Sequence, residues 1–227
     1  MKDINNVCLV IQARMNSQRV PKKMLRLFAG TTLIDILAQK LLKLKILPKQ
    51  NIYFSLYEEE LKQVISKYDF NIFHRSEASA NEETSLQTIL EWHDKLPFKY
   101  VVEVSACNPL LKIETIENFI KQYINSDKGG AFGVIEKRTY YWDKNKIPIT
   151  DWKGLSSMNT KLVDPVYEAA HCLYATPIDI IKDNFYMDTK SPAEPELFVM
   201  DELEAFDIDY EWQFKLGEQF YKQNNIL

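Results

Sequence analysis

Two short stretches at opposite ends of the 227-residue chain carry the side chains from which chemistry could be built. Near the start, Ile11–Lys23 reads IQARMNSQRVPKK, with Arg14, Ser17, Arg19, Lys22 and Lys23 following an apolar run. Guanidinium and ammonium groups, together with loop N–H groups, are the donors that hold a polyphosphate. The stretch lacks the glycines of a P-loop or a dinucleotide fingerprint, so neither motif applies. Read by itself it also admits a solvated basic surface loop as the alternative. Near the end, Phe206-Asp207-Ile208-Asp209 sets two acids two residues apart. On an extended strand that spacing puts both carboxylates on one face. One hard cation could then meet both, since Mg²⁺ takes one or two carboxylates plus phosphate oxygens and water. Two surface acids on an edge strand is the alternative.

The elements that must position these groups alternate. Val7–Gln12 (VCLVIQ) reads as a buried strand, short and β-branched, and opens into the loop Ala13–Gly30. A helix follows from Thr31/Thr32, with Thr32 as cap, Asp35 three residues on, and Leu33, Leu37, Leu41 and Leu44 as its apolar stripe. Strands are expected at Ile52–Leu56, Asn71–Phe73 and Tyr100–Ser105, and helices at Glu58–Tyr68, Thr84–Leu96 and Ile113–Ile124. This alternation predicts βαβ units and a mostly parallel α/β sheet. Ligands in such sheets lie beyond the carboxyl ends of the strands, so chemistry belongs to the loops after Gln12, Phe73 and Ser105. Past Gly129–Gly130, Ala131–Ile135 reads as a strand, and Lys137–Pro165 is irregular and aromatic, an inserted arm over about residues 135–170 of a single domain. Strands at His171–Thr176, Phe198–Met200 and Phe206–Asp209, then a helix at Glu211–Gln223, complete the expected order.

Composition narrows the classes. With 46% hydrophobic and 26% charged residues the chain reads as globular, and a net charge of −4 argues against a general nucleic-acid binder. No run approaches the length of a membrane helix and no signal peptide is evident, so a cytoplasmic protein without membrane contact is expected. Cys8, Cys107 and Cys172 show no metal or redox spacing and read as buried reduced thiols. His74, His93 and His171 lie on separate elements and suit packing or surface roles; His171 stands out through the segment it occupies. Tyr140, Tyr141 and Trp142 suit a ligand stack or an interface with a partner subunit.

The stretch IQARMNSQRVPKKML resembles the opening signature of the cytidylyltransferases that activate acylneuraminate-type sugar acids (the CMP-sialic acid synthetase-like enzymes) and of their spore-coat-polysaccharide relatives. Ile11, Gln12, Ala13, Arg14, Ser17, Arg19, Pro21 and Lys23 meet its key positions. FVMDELEAFDIDYEWQFKLGE resembles the same family's C-terminal stretch, where a D-I-D tripeptide precedes the last helix and binds the metal. The resemblance implies a Rossmann-like, three-layer nucleotidyltransferase fold with an arm that dimerises. It implies transfer of CMP from CTP to a small acidic sugar, with pyrophosphate released. Arg14, Lys23 and Asp209 would be catalytic, and Asp207 and Asp209 would hold Mg²⁺. Gln12, Ala13, Arg14, Ser17, Lys23, Arg75, Thr84 and Ser85 would bind the nucleotide, although Thr84 and Ser85 suit helix capping equally. Asn108 and Tyr174 would face the acceptor.

Departures from the family pattern cluster on the acceptor side. SLYEEE (Ser55–Glu60) stands where many relatives carry Asp-Gly, Leu111–Lys112 where an Arg is frequent, and Ala170-His171 where Asn-Gly is usual. They leave the acceptor open, with a phosphorylated acceptor giving a CDP-linked product, or a glycosyltransferase-like nucleotide-binding module, as rival readings.

Overall fold

A computed structural model describes residues 1–81, 84–151, 157, 159–183 and 195–224. Val7–Gln12 (β1) runs through the centre, buried along almost its whole length, which is why its apolar residues do not alternate with polar ones. Ile52–Leu56 (β2) and Tyr100–Val104 (β4) flank it in parallel, and Asn71–His74 (β3) extends the sheet beyond β2. On the other side, Val166–Pro177 (β6) pairs antiparallel with β4 and with Ala131–Lys137 (β5), and Glu196–Val199 (β7) pairs parallel with β5. The sheet has seven strands in the order β3-β2-β1-β4-β6-β5-β7.

The two faces of β1 explain the layers. Val7, Leu9 and Ile11 enter a large cluster with residues of Leu33–Leu41 (α1), Glu59–Ile65 (α2), Ile113–Asn125 (α4) and Glu211–Asn224 (α5). Cys8 and Val10 enter a smaller one with Val101, Leu90, Trp92, Ile178 and Ile181. Burying Trp92 completely contributes about 2–3 kcal/mol. α1 begins as expected: the Thr32 hydroxyl accepts from the Asp35 N–H, and the Asp35 carboxylate accepts from that hydroxyl.

Three expectations are corrected. The helix expected over Thr84–Leu96 is one turn, Leu86–Ile89 (α3), then a 3₁₀ turn at Glu91–Asp94. The chain leaves helical geometry at Leu90, whose side chain and that of Trp92 are both buried in the smaller cluster. β6 starts at Val166 rather than His171 and β5 reaches Lys137, so the irregular excursion spans 138–165, partly outside the described residues. Phe206–Asp209 belongs to no strand. It is held instead by the Ile208 N–H, which donates to the Cys107 carbonyl at 3.1 Å.

Contacts between the first loop and α5 bring the chain ends together. Arg26 makes a two-pronged ion pair with Glu211, both bonds 2.6 Å. Phe28 meets Phe214 and Tyr221 edge to face at 5.2 and 5.7 Å. The Ala29 N–H donates to Glu218 at 3.0 Å. On the opposite wall, buried Lys40 donates to the carbonyls of Pro109 and Leu111, fixing the turn after β4.

Candidate active site

At the carboxyl ends of β1 and β3 a cleft of ≈ 500 Å³ opens. Of the residues singled out from sequence, Gln12, Ala13, Arg14, Ser17, Lys23, Arg75 and Asp209 line it. The loop gains its shape from a left-handed turn at Lys22, φ 54°, which sets Lys23 against the far end of the chain. Lys23 Nζ donates to the Ile208 carbonyl at 2.7 Å and lies 3.4 Å from Asp209 Oδ1, which Arg19 also meets at 2.9 Å. Asp209 is oriented from behind: its N–H and that of Tyr210 both donate to Gln213 Oε1, at 2.8 and 2.7 Å, a capping arrangement at the start of α5.

The cations are crowded and partly stripped of water. Burial is the main cause that lowers the pKa of Arg14 and of Arg75, and in Arg75 the neighbouring Arg14 pushes the same way. Arg75 is buried, donates through Nη1 to Gln12 Oε1 at 3.1 Å, and its Nε finds no hydrogen-bond partner among the described residues. Such an array is destabilising by itself and relieved by a polyanion.

Asp207 has the complementary problem. Burial first, and Asp209 second, raise its pKa, while Lys23 and His171 pull it down. Its Oδ1 is buried with no hydrogen-bond partner among the described residues. A desolvated carboxylate beside another one fits a hard cation. Among the described residues no group of three or more His, Cys, Asp or Glu is arranged to hold a metal unaided.

A polar line joins this site to β6. Gln12 Nε2 donates to Glu103 Oε2 at 3.3 Å, and Glu103 stands opposite Tyr174 in the β4–β6 register. The Tyr174 hydroxyl lies 2.9 Å from His171 Nδ1. Burial, followed by the nearby Cys172, Glu103 and Asp207, raises the pKa of Tyr174, so the phenol keeps its proton.

Five residues singled out from sequence, Thr84, Ser85, Asn108, Tyr174 and Asp207, lie outside the cleft lining. Ser85 caps α3 and the Thr84 hydroxyl donates to the carbonyls of Ala78 and Asn81; the cleft is walled a few residues earlier, by Ser79, Ala80 and Asn81. Asn108 is buried, donating to the Ala205 carbonyl at 3.1 Å. Tyr174 sits on β6 beside Asp207, which itself lies beneath the lining. Conversely Cys107, expected to be buried, is only half-buried and lines the cleft. Burial raises its pKa, opposed by Lys23, which reaches the thiol. Its place after a strand-end Ser105 was the available signal.

A cationic cleft at the mouth of a mostly parallel sheet, faced by paired acids, defines a nucleotidyltransferase site. The family description "Cytidylyltransferase" matches residues 8–191. The chain is similar, at 25% identity over 98% of both chains, to post-translational flagellin modification protein B of Campylobacter coli. It is similar at 22% identity, again over 98% of both, to pseudaminic acid cytidylyltransferase of Campylobacter jejuni subsp. jejuni. A 3-deoxy-manno-octulosonate cytidylyltransferase of Francisella tularensis subsp. holarctica is 27% identical over 59% of this chain and 52% of its own. Among solved structures, CMP:2-keto-3-deoxy-manno-octonic acid synthetase complexed with CTP superposes with a TM-score of 0.71 at 11% identity, covering 96% of this chain and 99% of that one. The chain belongs to the cytidylyltransferase family and is a CTP-using nucleotidyltransferase.

Proposed function

We propose that this enzyme transfers CMP from CTP to an acidic sugar of the nonulosonic or ketodeoxy acid class, releasing pyrophosphate and giving the activated sugar for surface polysaccharide or glycan synthesis. The observation that carries the reading is the meeting of Lys23 and Asp209, 186 residues apart in sequence, within one cleft. Relatives named for pseudaminic acid and for 3-deoxy-manno-octulosonate support the acceptor class.

The triphosphate lies along Arg14, Arg19 and Lys23, and Arg75 with Gln12 closes the nucleoside side. An acceptor hydroxyl attacks the α-phosphorus in line; the new P–O bond forms as the α–β bridging bond breaks, and pyrophosphate leaves with that electron pair. The hydroxyl proton passes to Asp209 or to a water it holds. Lys23 and Arg14 neutralise the charge that grows on the leaving oxygens, where positioning and electrostatics dominate the rate. Asp207 and Asp209 would hold Mg²⁺, which when bound supplies charge neutralisation at the phosphate oxygens. Arg19 must release Asp209 as the triphosphate draws it away. A homodimer formed through the arm accounts for exposed Trp142, Ile147 and Ile149; light scattering gives twice the chain mass if this is right.

The test is pyrophosphate release with CTP and Mg²⁺ against a panel of nonulosonic acids, ketodeoxy acids and phosphorylated small molecules, with product masses. A CMP–sugar adduct from an acid acceptor is expected. Adducts from phosphorylated acceptors alone would overturn the reading.

A further inference from the structure

The acceptor side carries a feature that the chemistry above leaves unused. Between the pairs Phe132–Tyr174 and Val134–Ala169 the β5–β6 register slips, with one residue on β5 facing four on β6. The bulge is tight: a Cβ on Gly133 would stand 3.1 Å from Leu173 Cβ and 3.2 Å from Met200 Sδ. At its crest His171 has φ 53°, a left-handed conformation that a glycine would adopt without strain. An exposed histidine is thus kept where the backbone favours glycine. Strain of this kind is retained where a side chain is needed.

The need follows from the acceptor. In the ring form of a 2-keto sugar acid the attacking hydroxyl and the carboxylate share one carbon. Bringing that hydroxyl to Asp209 forces the carboxylate up against both aspartates, which repel it. The basic side chains beside Asp207 are Lys23 and His171. Lys23 is committed to the Ile208 carbonyl and the triphosphate side. His171 approaches from β6, and its Nδ1 is taken by Tyr174. The phenol can donate there, which leaves the ring proton on Nε2.

We propose that His171 fixes acceptor choice in this enzyme: oriented by Tyr174 on the β6 bulge, its Nε2 donates to the carboxylate of the sugar acid. The assignment rests on the proposed acceptor class.

The test compares wild type with His171→Gly and Tyr174→Phe, using CTP and the best acid acceptor from the panel together with its carboxamide. Glycine suits the backbone, so His171→Gly should melt at or above the wild-type temperature with CTP KM within twofold. Its acceptor KM should rise about 10- to 100-fold, the range for losing a charge-assisted hydrogen bond. The preference for acid over carboxamide should collapse toward one, an effect that a merely structural role would not produce. Tyr174→Phe, which keeps the ring, should show a smaller rise in acceptor KM. An active His171→Gly enzyme with unchanged acceptor KM and preference overturns this inference alone. So does a variant with lowered melting temperature and KM raised for both substrates. A wild type that turns over no acid acceptor overturns the proposed function as well.

Discussion

The proposed nucleotide half and the proposed acceptor half of the site are built by different means. The nucleotide half is local: β1 delivers Gln12, and the loop immediately after it delivers Ala13, Arg14, Ser17, Arg19 and Lys23, with Arg75 arriving from the end of β3. Its shape depends on left-handed residues at Lys22, Ala29 and Gly30 and on short-range turns. The acceptor half is assembled from distant strands, a register slip and a strained residue, and Asp207 is half-buried between the two halves, its Oδ1 out of solvent. Local construction preserves a recognisable signature, whereas distributed construction lets single positions such as Ala170-His171 diverge without disturbing the CTP site. The two halves should therefore be separable by mutation: one set of changes moves CTP binding, the other moves acceptor binding, and the seam between them moves turnover.

The largest effect belongs to the seam. Lys23→Ala and Asp209→Asn should each lower kcat by at least about 10²–10³-fold, the scale for removing one preorganised group at a developing charge. Far-UV circular dichroism should stay at wild type, because Lys23 and Asp209 meet at the cleft and not in the core. Stopped-flow pyrophosphate release checks it. Near-normal turnover in both would break the comparison, since no shared seam would remain.

Next comes the nucleotide half alone. Arg75→Ala should raise KM for CTP about 10- to 100-fold by removing a buried, charge-bearing donor, with acceptor KM within twofold. The measurement is a two-substrate steady-state grid. An equal rise in both KM values would mean that the halves are coupled through Gln12 and Glu103 more tightly than their separate construction suggests.

That separation also accounts for what the sequence made legible. β1, β2, the Thr32 cap, the span of α4 and the cationic loop are set by contiguous residues, and each lies at or within a residue or two of its expected place. The broken helix at Leu90 and the absence of a strand at Phe206–Asp209 were not legible, because burial of Leu90 and Trp92 and the Ile208–Cys107 bond are contacts between distant segments. The β6 bulge was invisible for the same reason: apolar alternation sets which face a residue takes, not how many residues a neighbouring strand will skip. Cys107 looked like a core thiol because it carries no metal or redox spacing and follows the apolar strand ending at Val104, while its neighbours in space include Lys23 and Asp207.

The acceptor strand offers a smaller test, in stability. Burial pushes the thiol of Cys172, adjacent to His171, up to about 12 from an ordinary value of 9.0. The sign follows from proton counts. Between these values the unfolded chain has lost the proton and the native state keeps it, so native stability present below pH 9 is lost as pH rises toward 12. One such group contributes a slope of up to about 1.4 kcal/mol per pH unit. Wild type should therefore lose stability above pH 9 faster than Cys172→Ala does, even though the alanine variant starts lower through its lost packing. Urea unfolding at a series of pH values reads both slopes. Parallel slopes would show that the thiol is in contact with water and that the acceptor strand is looser than its burial implies.

The smallest effect concerns how the seam keeps its geometry. Gly217 lies inside α5, where alanine ordinarily stabilises a helix by about 0.5–1 kcal/mol. Here a Cβ would stand 3.0 Å from Phe206 Cε1 and 3.7 Å from Ile208 Cδ1, and these two side chains bracket Asp207. The helix gain and the crowding oppose each other, so Gly217→Ala should shift unfolding free energy by less than about 1 kcal/mol in either direction. The displaced ring should still move Asp207 relative to Asp209. Turnover should fall several-fold, with both KM values close to wild type, since neither half is touched directly. Reduced kcat at constant stability would place the control of acid–acid geometry in the packing of α5 against the Phe206–Asp209 loop. Unchanged kcat would assign that control to Lys23 and Gln213, which grip the same loop from the cleft and from the helix start.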